Sequence, residues 1–245
     1  MNLADENILC ALREGKFEVQ GEFLWGSNYT FLVQLEYEGS AHQAVYKPTR
    51  GERPLWDFPT ASLGRREAAA YLVSAELGWD LVPPTIYRKK GPIGGGSLQW
   101  FIEHDPDYHY FNFTEEDRQR LRPTVLLDLL INNADRKGSH VLKDPQGCLW
   151  LIDHGVCFHI EDKLRTVIWD FVDEPIPENL CQDIARLRQK FGQQDRVPGE
   201  FYAQLLEYIS PAEVRALARR ADNIIASGVF PPPDLYRRPF PWPQI

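Results

Sequence analysis

Apolar and polar positions alternate with period two along KFEVQGEFLWG and NYTFLVQLEYEG, and AHQAVYKP continues the pattern. Alternation at every second residue sets one face of a strand against a core and the other toward water, so these segments predict β-strands. Gly26-Ser27-Asn28 and Glu38-Gly39-Ser40 supply turn chemistry for hairpins between them. The character then changes. TASLGRREAAAYLVSAELG is rich in Ala, Leu and Glu, with Thr60 or Ser62 to cap its start and Gly78 to end it, which predicts a helix. Arg65 and Arg66 read there as surface charges. PTIYRK and SLQWFIE predict two further strands, joined by the loose loop GPIGGG.

After EHDPDYHYFN the pattern is helical. FTEEDRQRLRPTVLLDLLINN opens on Thr114 as N-cap with Asp117 three residues on, and Pro123 kinks it or starts a second helix. HVLKDPQGCLWLID predicts a short hairpin turning at Asp144-Pro145-Gln146-Gly147. Helices follow over about 178–191, 199–208 and 211–226, the last with Ser210 as cap and Pro211 at its first position. The tail GVFPPPDLYRRPFPWPQI is too proline-rich for helix or central strand, and its aromatics predict that it packs on the body. The expected architecture is therefore α+β. Residues 1–104 form a small β-rich lobe and 105–245 a mainly helical one, with a ligand cleft between them.

Composition narrows the function. The 245 residues are 43% hydrophobic, enough for a real core, with net charge −8. An acidic chain is a poor general binder of nucleic acid or anionic membrane. Cys10, Cys148, Cys157 and Cys181 form no C-x-x-C pair, and no leader or membrane-spanning run is evident, so a reduced, cytoplasmic protein is expected.

Candidate chemistry falls in five places. Lys47 leaves the end of a strand, where its ammonium suits phosphate, although a solvated strand-end lysine looks the same. Glu67 lies early in the first helix, either as a partner for Lys47 or as a helix-dipole acid. The LWGSNYT turn, with Ser27 and Asn28, offers backbone N–H groups to phosphates as any tight hairpin does. Asp135 and His140 follow the apolar run TVLLDLLI, where a carboxylate can orient or deprotonate a hydroxyl. Asp153 ends the buried run LWLI, an expensive place for a carboxylate unless it is paired or holds a cation. The histidines of EHDPDYHY and HGVCFH match no closed zinc spacing, and no G-x-S-x-G marks a serine hydrolase.

Together these pieces resemble the atypical kinases that include phosphatidylinositol 3-/4-kinases and HipA-type kinases. Lipid kinases of that group carry D-R-H-x-x-N and then a D-F-G-like motif. The matching text is Asp135-Arg136-Lys137-Gly138-Ser139-His140 and Asp153-His154-Gly155, with AVYKP and Glu67 resembling the lysine strand and its helix partner. Over nearly its full length, in WGSNYTFLV, LWDFP, INNADRKG, IDHGVCFH and LRTVIWDF, the chain is similar to a family of small bacterial proteins related to those kinases. The resemblance implies one bilobal, protein-kinase-like domain and supplies no substrate.

It also implies roles. Ser27 and Asn28 would cover the phosphates of ATP, and Lys47, held by Glu67, would bind them. The connector Phe101, Ile102, Glu103 and His104 would pair with adenine. Asp153 would hold Mg²⁺ or Mn²⁺, with His140 as second ligand or phosphate contact. Asp135 would orient or deprotonate the acceptor, and Lys137 would neutralise transferring charge. Lys163 or Arg165 would read an acidic acceptor. Lys137 and His140 stand where the motif has histidine and asparagine, so the metal preference shifts toward Mn²⁺ or catalysis has been lost. A metal-bound imidazole must be neutral, so Mn²⁺-dependent activity should fall below about pH 6.5. The expected function is ATP-dependent phosphoryl transfer to a protein or small-molecule hydroxyl. A nucleotide-binding pseudokinase and a protein nucleotidyltransferase remain as alternatives.

Overall fold

The computed structural model describes residues 3–23, 29–192 and 199–245. The turn expected at Gly26-Ser27-Asn28 lies outside them. The five expected strands pair into one antiparallel sheet: β1 (Lys16–Glu22), β2 (Phe31–Tyr37), β3 (Ser40–Pro48), β4 (Thr85–Arg88) and β5 (Gly96–Trp100), in spatial order β1-β2-β3-β5-β4. Period two is expressed in the register. Phe31 faces Tyr46, Val33 faces Ala44, and Tyr46 faces Leu98, placing this set on one side of the sheet. Gln43, Val45 and Lys47 project from the other. β1 is an edge strand with an irregularity between Val19 and Gly21, and it buries little beyond Phe17.

A helix the strand-centred reading did not include precedes the sheet, α1 (Leu3–Glu14). Its Leu9 and Leu12 are buried in the same core as Val33, Leu35, Ala44, Tyr46 and Leu98. Arg88 Nη1 donates to Leu12 O at 3.3 Å and Gly15 O at 2.7 Å, so a cation from β4 satisfies carbonyls where α1 ends.

The expected helix forms as α2 (Leu63–Leu77) and ends at Gly78 in the left-handed region, φ 71°. Its cap comes from elsewhere. Ser62 Oγ donates to Pro59 O, and the N–H groups of Leu63 and Gly64 donate instead to the Glu52 carboxylate at 3.3 and 3.1 Å. Arg66 corrects the expectation of a surface charge, for it is 2% exposed.

The rest is mainly helical: α3 (Glu115–Gln119), α4 (Arg122–Ile131), α5 (Glu178–Lys190), α6 (Glu200–Leu206) and α7 (Pro211–Ser227), with the hairpin β6 (Val141–Lys143) and β7 (Leu149–Leu151). Thr114 caps α3 through Asp117 N–H, Pro123 starts α4 rather than kinking one long helix, and Ser210 and Glu213 form a reciprocal cap on α7. The tail packs without regular structure. Phe230 is buried, Pro239 O accepts Thr166 N–H at 3.0 Å, and Gln244 O accepts Gly138 N–H at 2.8 Å. All four cysteines are free. Among the described residues no helix is long and apolar enough to cross a membrane.

Candidate active site

Lys47 occupies the last turn-free positions of β3, where Pro48 ends the ladder opposite Gly96. A Cβ on Gly96 would meet Lys47 O at 2.3 Å, so glycine is what lets β5 lie this close to the lysine. The ammonium leaves the sheet and joins two carboxylates distant in sequence: Glu67 Oε1 on α2 at 2.7 Å and Asp153 Oδ1 beyond β7 at 3.1 Å. Burial opposes the ammonium, yet the two carboxylates outweigh it and raise Lys47 above its ordinary value. The benefit is unequal. Lys47 holds Asp153 well below the usual carboxylate range, while burial pushes Glu67 up despite the same lysine. Glu67 is the deeper group, and its Oε2 has no partner among the described residues.

The loop after α4 is built by its asparagines. Asn132 ends the helix in the left-handed region (φ 55°), and its Nδ2 donates to His159 O and Glu161 O while Oδ1 accepts Lys163 N–H. Asn133 Oδ1 accepts Asp135 N–H at 2.9 Å. Asp135 stands half-buried with Lys137 Nζ 3.4 Å from its Oδ2. Burial dominates its titration, pushing the carboxyl up to about 6, with Lys137 opposing and Asp153 adding to the rise. A carboxylate with that pKa suits proton acceptance near neutral pH.

His140 meets the other oxygen of Asp153, Nε2 to Oδ2 at 3.3 Å. Its Nδ1 accepts Lys137 N–H at 3.4 Å. A neutral imidazole accepting at Nδ1 carries its hydrogen on Nε2, so the ring as placed donates to Asp153. It would offer a lone pair to a cation only by moving that hydrogen and giving up the Lys137 bond. Burial lowers His140 to about 4, which keeps it neutral around pH 7.

Sequence reasoning missed the group that joins these pieces. Arg136, fully buried, grips Asp128 of α4 through Nε and Nη2 at 2.9–3.2 Å. Its Nη1 reaches Ile152 O at 3.0 Å and His140 O at 3.3 Å, and Nη2 donates to His154 Nε2 at 2.7 Å. One guanidinium thus fixes the helix, the loop that follows it and the residues on both sides of Asp153. The sequence signals were its match to the motif arginine, to which no role was given, and an Asp inside the apolar run TVLLDLLI eight residues earlier.

Other expected residues divide. Phe101 N–H is engaged by Gln43 O at 3.2 Å, and Ile102 O accepts the His104 ring N–H at 2.8 Å, leaving less of the connector for a base than expected. Glu103 is exposed and, with His42, Gln43, Trp100 and Phe101, lines a groove there. Lys163 corrects the acceptor-reading expectation, because its ammonium pairs with Asp57 at 2.9 Å and lies over the Trp56 ring. Arg165 has no carboxylate within ion-pair distance among the described residues. Its backbone is pinned beside Asp135, N–H to Asn133 O and carbonyl to Arg136 N–H. Ser27 and Asn28 lie outside the described residues.

No three His, Cys, Asp or Glu converge as a metal cage among the described residues. A magnesium-type ion is held by one or two carboxylates with waters and substrate phosphates, and the ionised Asp153 fits that mode with its side chain 46% exposed.

The sequence model of the phosphatidylinositol 3- and 4-kinase family matches residues 64–214, from the start of α2 into α7. The chain belongs to that family. It is 37% identical to Protein Rv2133c of Mycobacterium tuberculosis over 280 aligned residues, covering all of this chain and 98% of that protein. Solved structures share its fold. Hydra Fam20 with sugar superposes with a TM-score of 0.58 at 14% identity, covering 93% of this chain and 89% of its own. The Helicobacter pylori proinflammatory kinase CtkA gives 0.52 at 11% identity, covering 89% and 94%. The fold is kinase-like, with a small antiparallel β-rich lobe and a mainly helical one.

Proposed function

We propose that the protein is an ATP-dependent phosphotransferase acting on the hydroxyl of a protein or small molecule. The observation that carries this reading is Lys47 Nζ joined at once to Glu67 and Asp153, with Asp135 close enough to Asp153 for their charges to interact. Phosphoryl transfer needs positioning and charge neutralisation more than covalent help. Lys47 would bind phosphate oxygens. Val45 and Leu32, opposite each other on the face of Lys47, would floor the adenine toward the connector. Gln43 and Lys47 lie about 13 Å apart along β3, room for a base at one end and phosphates at the other.

Asp153, oriented by His140, would hold Mg²⁺ or Mn²⁺, which supplies charge neutralisation across the phosphates. The acceptor oxygen attacks the γ-phosphorus as the bond from that phosphorus to the bridging oxygen of ADP breaks, and the hydroxyl proton passes to Asp135. Lys137 faces the charge that develops. Arg165, whose charge acts on Asp135 but which has no carboxylate within ion-pair distance among the described residues, would be a cation able to meet an anionic acceptor. The kinship with HipA-type kinases and a small bacterial family, a cytoplasmic setting, and a nucleotide lobe ending near residue 104 belong to the same reading.

Incubation with ATP labelled on either the γ- or the α-phosphate tests it. Transfer of the γ label with Mg²⁺ or Mn²⁺ is expected. Transfer of the α label would make the protein a nucleotidyltransferase, and binding without transfer of either would make it a pseudokinase.

A further inference from the structure

Arg66 precedes Glu67 on α2 and points into the protein. Its Nε donates to Ser62 Oγ at 3.2 Å, Nη1 to Cys157 O at 2.6 Å, and Nη2 to Glu213 Oε1 at 2.5 Å, and the guanidinium lies 4.9 Å from the centre of the Phe58 ring. Cys157 is four residues beyond Asp153. Glu213 belongs to α7, 147 residues away, and its other oxygen accepts from Ser210 in the cap of that helix. The cation therefore joins the β-rich lobe's helix to the segment after the metal motif and to the start of α7. Phe58 adds a ring contact to His159, and Asp57 pairs with Lys163, on the same side of the molecule.

We propose that Arg66 is a positioning residue that locks α2 against the helical lobe, so that Glu67, and through it Lys47, is fixed before any nucleotide arrives. The inference rests on the phosphotransferase reading for its consequence, and on geometry alone for the lock. A helix carrying one carboxylate of a three-group cluster sets that cluster only as well as the helix itself is held. Among the described residues the Glu67 side chain makes one hydrogen bond, from Lys47, and its other oxygen is unpartnered, so it does not anchor α2 by itself. Arg66, one position earlier with three hydrogen bonds and a ring contact, does. A buried, multiply bonded guanidinium also has no easy alternative arrangement, since opening α2 would leave Glu213 buried without its cation.

The test uses the double variant Arg66→Met with Glu213→Gln. It removes both charges together, which buried pairs tolerate far better than loss of one partner, and keeps an oxygen at position 213 for Ser210. Hydrogen exchange of the first half of α2 should rise at least about tenfold while α4 and α5 stay as in the wild type, and ATP turnover should fall about 100-fold, the scale of a misplaced reacting group. Exchange that rises equally in α2, α4 and α5, or turnover at the wild-type level, would overturn the proposal by making the pair merely structural. If the double variant does not fold, Arg66→Lys, which keeps the charge and loses the three-way geometry, is read by the same two measurements. A wild type that binds no nucleotide with either metal would defeat the phosphotransferase reading, and the exchange measurement would still decide the lock.

Discussion

At Asp135 the role proposed for one residue and the stability of the fold pull in opposite directions. Burial pushes its carboxyl up to about 6 from an ordinary 3.8. As proton acceptor it must be ionised, so turnover is expected to fall as pH drops through about 6, and Asp135→Asn should lower turnover by about 10²–10⁴-fold while leaving ATP affinity nearly intact. Stability moves the other way. The folded state holds this proton more tightly than the unfolded chain, so the ionised group costs stability above about pH 6 and nothing below about pH 4. Asp135→Asn should therefore melt higher than the wild type at pH 7.5, with the difference vanishing toward pH 4. A lower Tm for the variant at pH 7.5 would contradict the burial argument. His140 does not share this titration, since its pKa near 4 leaves it neutral through the window where Mn²⁺-dependent activity was expected to fail. Because its Nε2–H faces Asp153, His140→Ala should weaken Mg²⁺–ATP and Mn²⁺–ATP by the same factor. A loss confined to Mn²⁺ would restore the imidazole as a ligand.

Elements held by local chemistry were legible in the sequence, and those held by distant partners were not. Thr114, Pro123, Ser210 with Pro211, and Gly78 all mark their helix ends within a few residues, and the structure uses each as expected. The helix α1 carries Leu9 and Leu12 on one side of a short charged segment, and what closes its end is Arg88, some 75 residues on. The α2 cap comes from Glu52, not Ser62, so Glu52→Gln is expected to cost about 1 kcal/mol in a denaturation experiment. Arg136 is the element-scale counterpart. It grips Asp128 at full burial, and Arg136→Met alone should destabilise by about 3–5 kcal/mol by leaving Asp128 uncompensated. Replacing both, as Asp128→Leu with Arg136→Met, should recover much of that loss while turnover stays low. Recovery of activity along with stability would show that the guanidinium merely fills space.

The whole molecule brings together groups that no local pattern connects. Lys47, Glu67 and Asp153 come from β3, α2 and the segment after β7, and Asp153 lies 106 residues from Lys47. Each stood in the sequence only as a candidate, a strand-end lysine, an early-helix acid and a strand-end aspartate, and the resemblance to kinases implied that they act together; the structure brings the three side chains into one cluster. The lock through Arg66 and Glu213 was not legible, because nothing in RREAAA says which arginine turns inward. This arrangement predicts a ligand response for the whole chain. Metal–ATP at about 100 times its dissociation constant adds roughly 2.7 kcal/mol to the folded state if it binds only there. For a chain of this size each kcal/mol moves Tm by about 2–4 °C, so a rise of roughly 5–11 °C is expected with Mn²⁺ and ATP together. Asp153→Asn should abolish most of that rise, since it removes the anionic oxygen for the cation and unpairs Lys47 on one side. Asp135→Asn should keep it. Equal loss in both variants would mean that the two aspartates do not divide into a binding and a reacting group, and no rise in the wild type with either metal at millimolar ATP would remove the nucleotide from the cleft altogether.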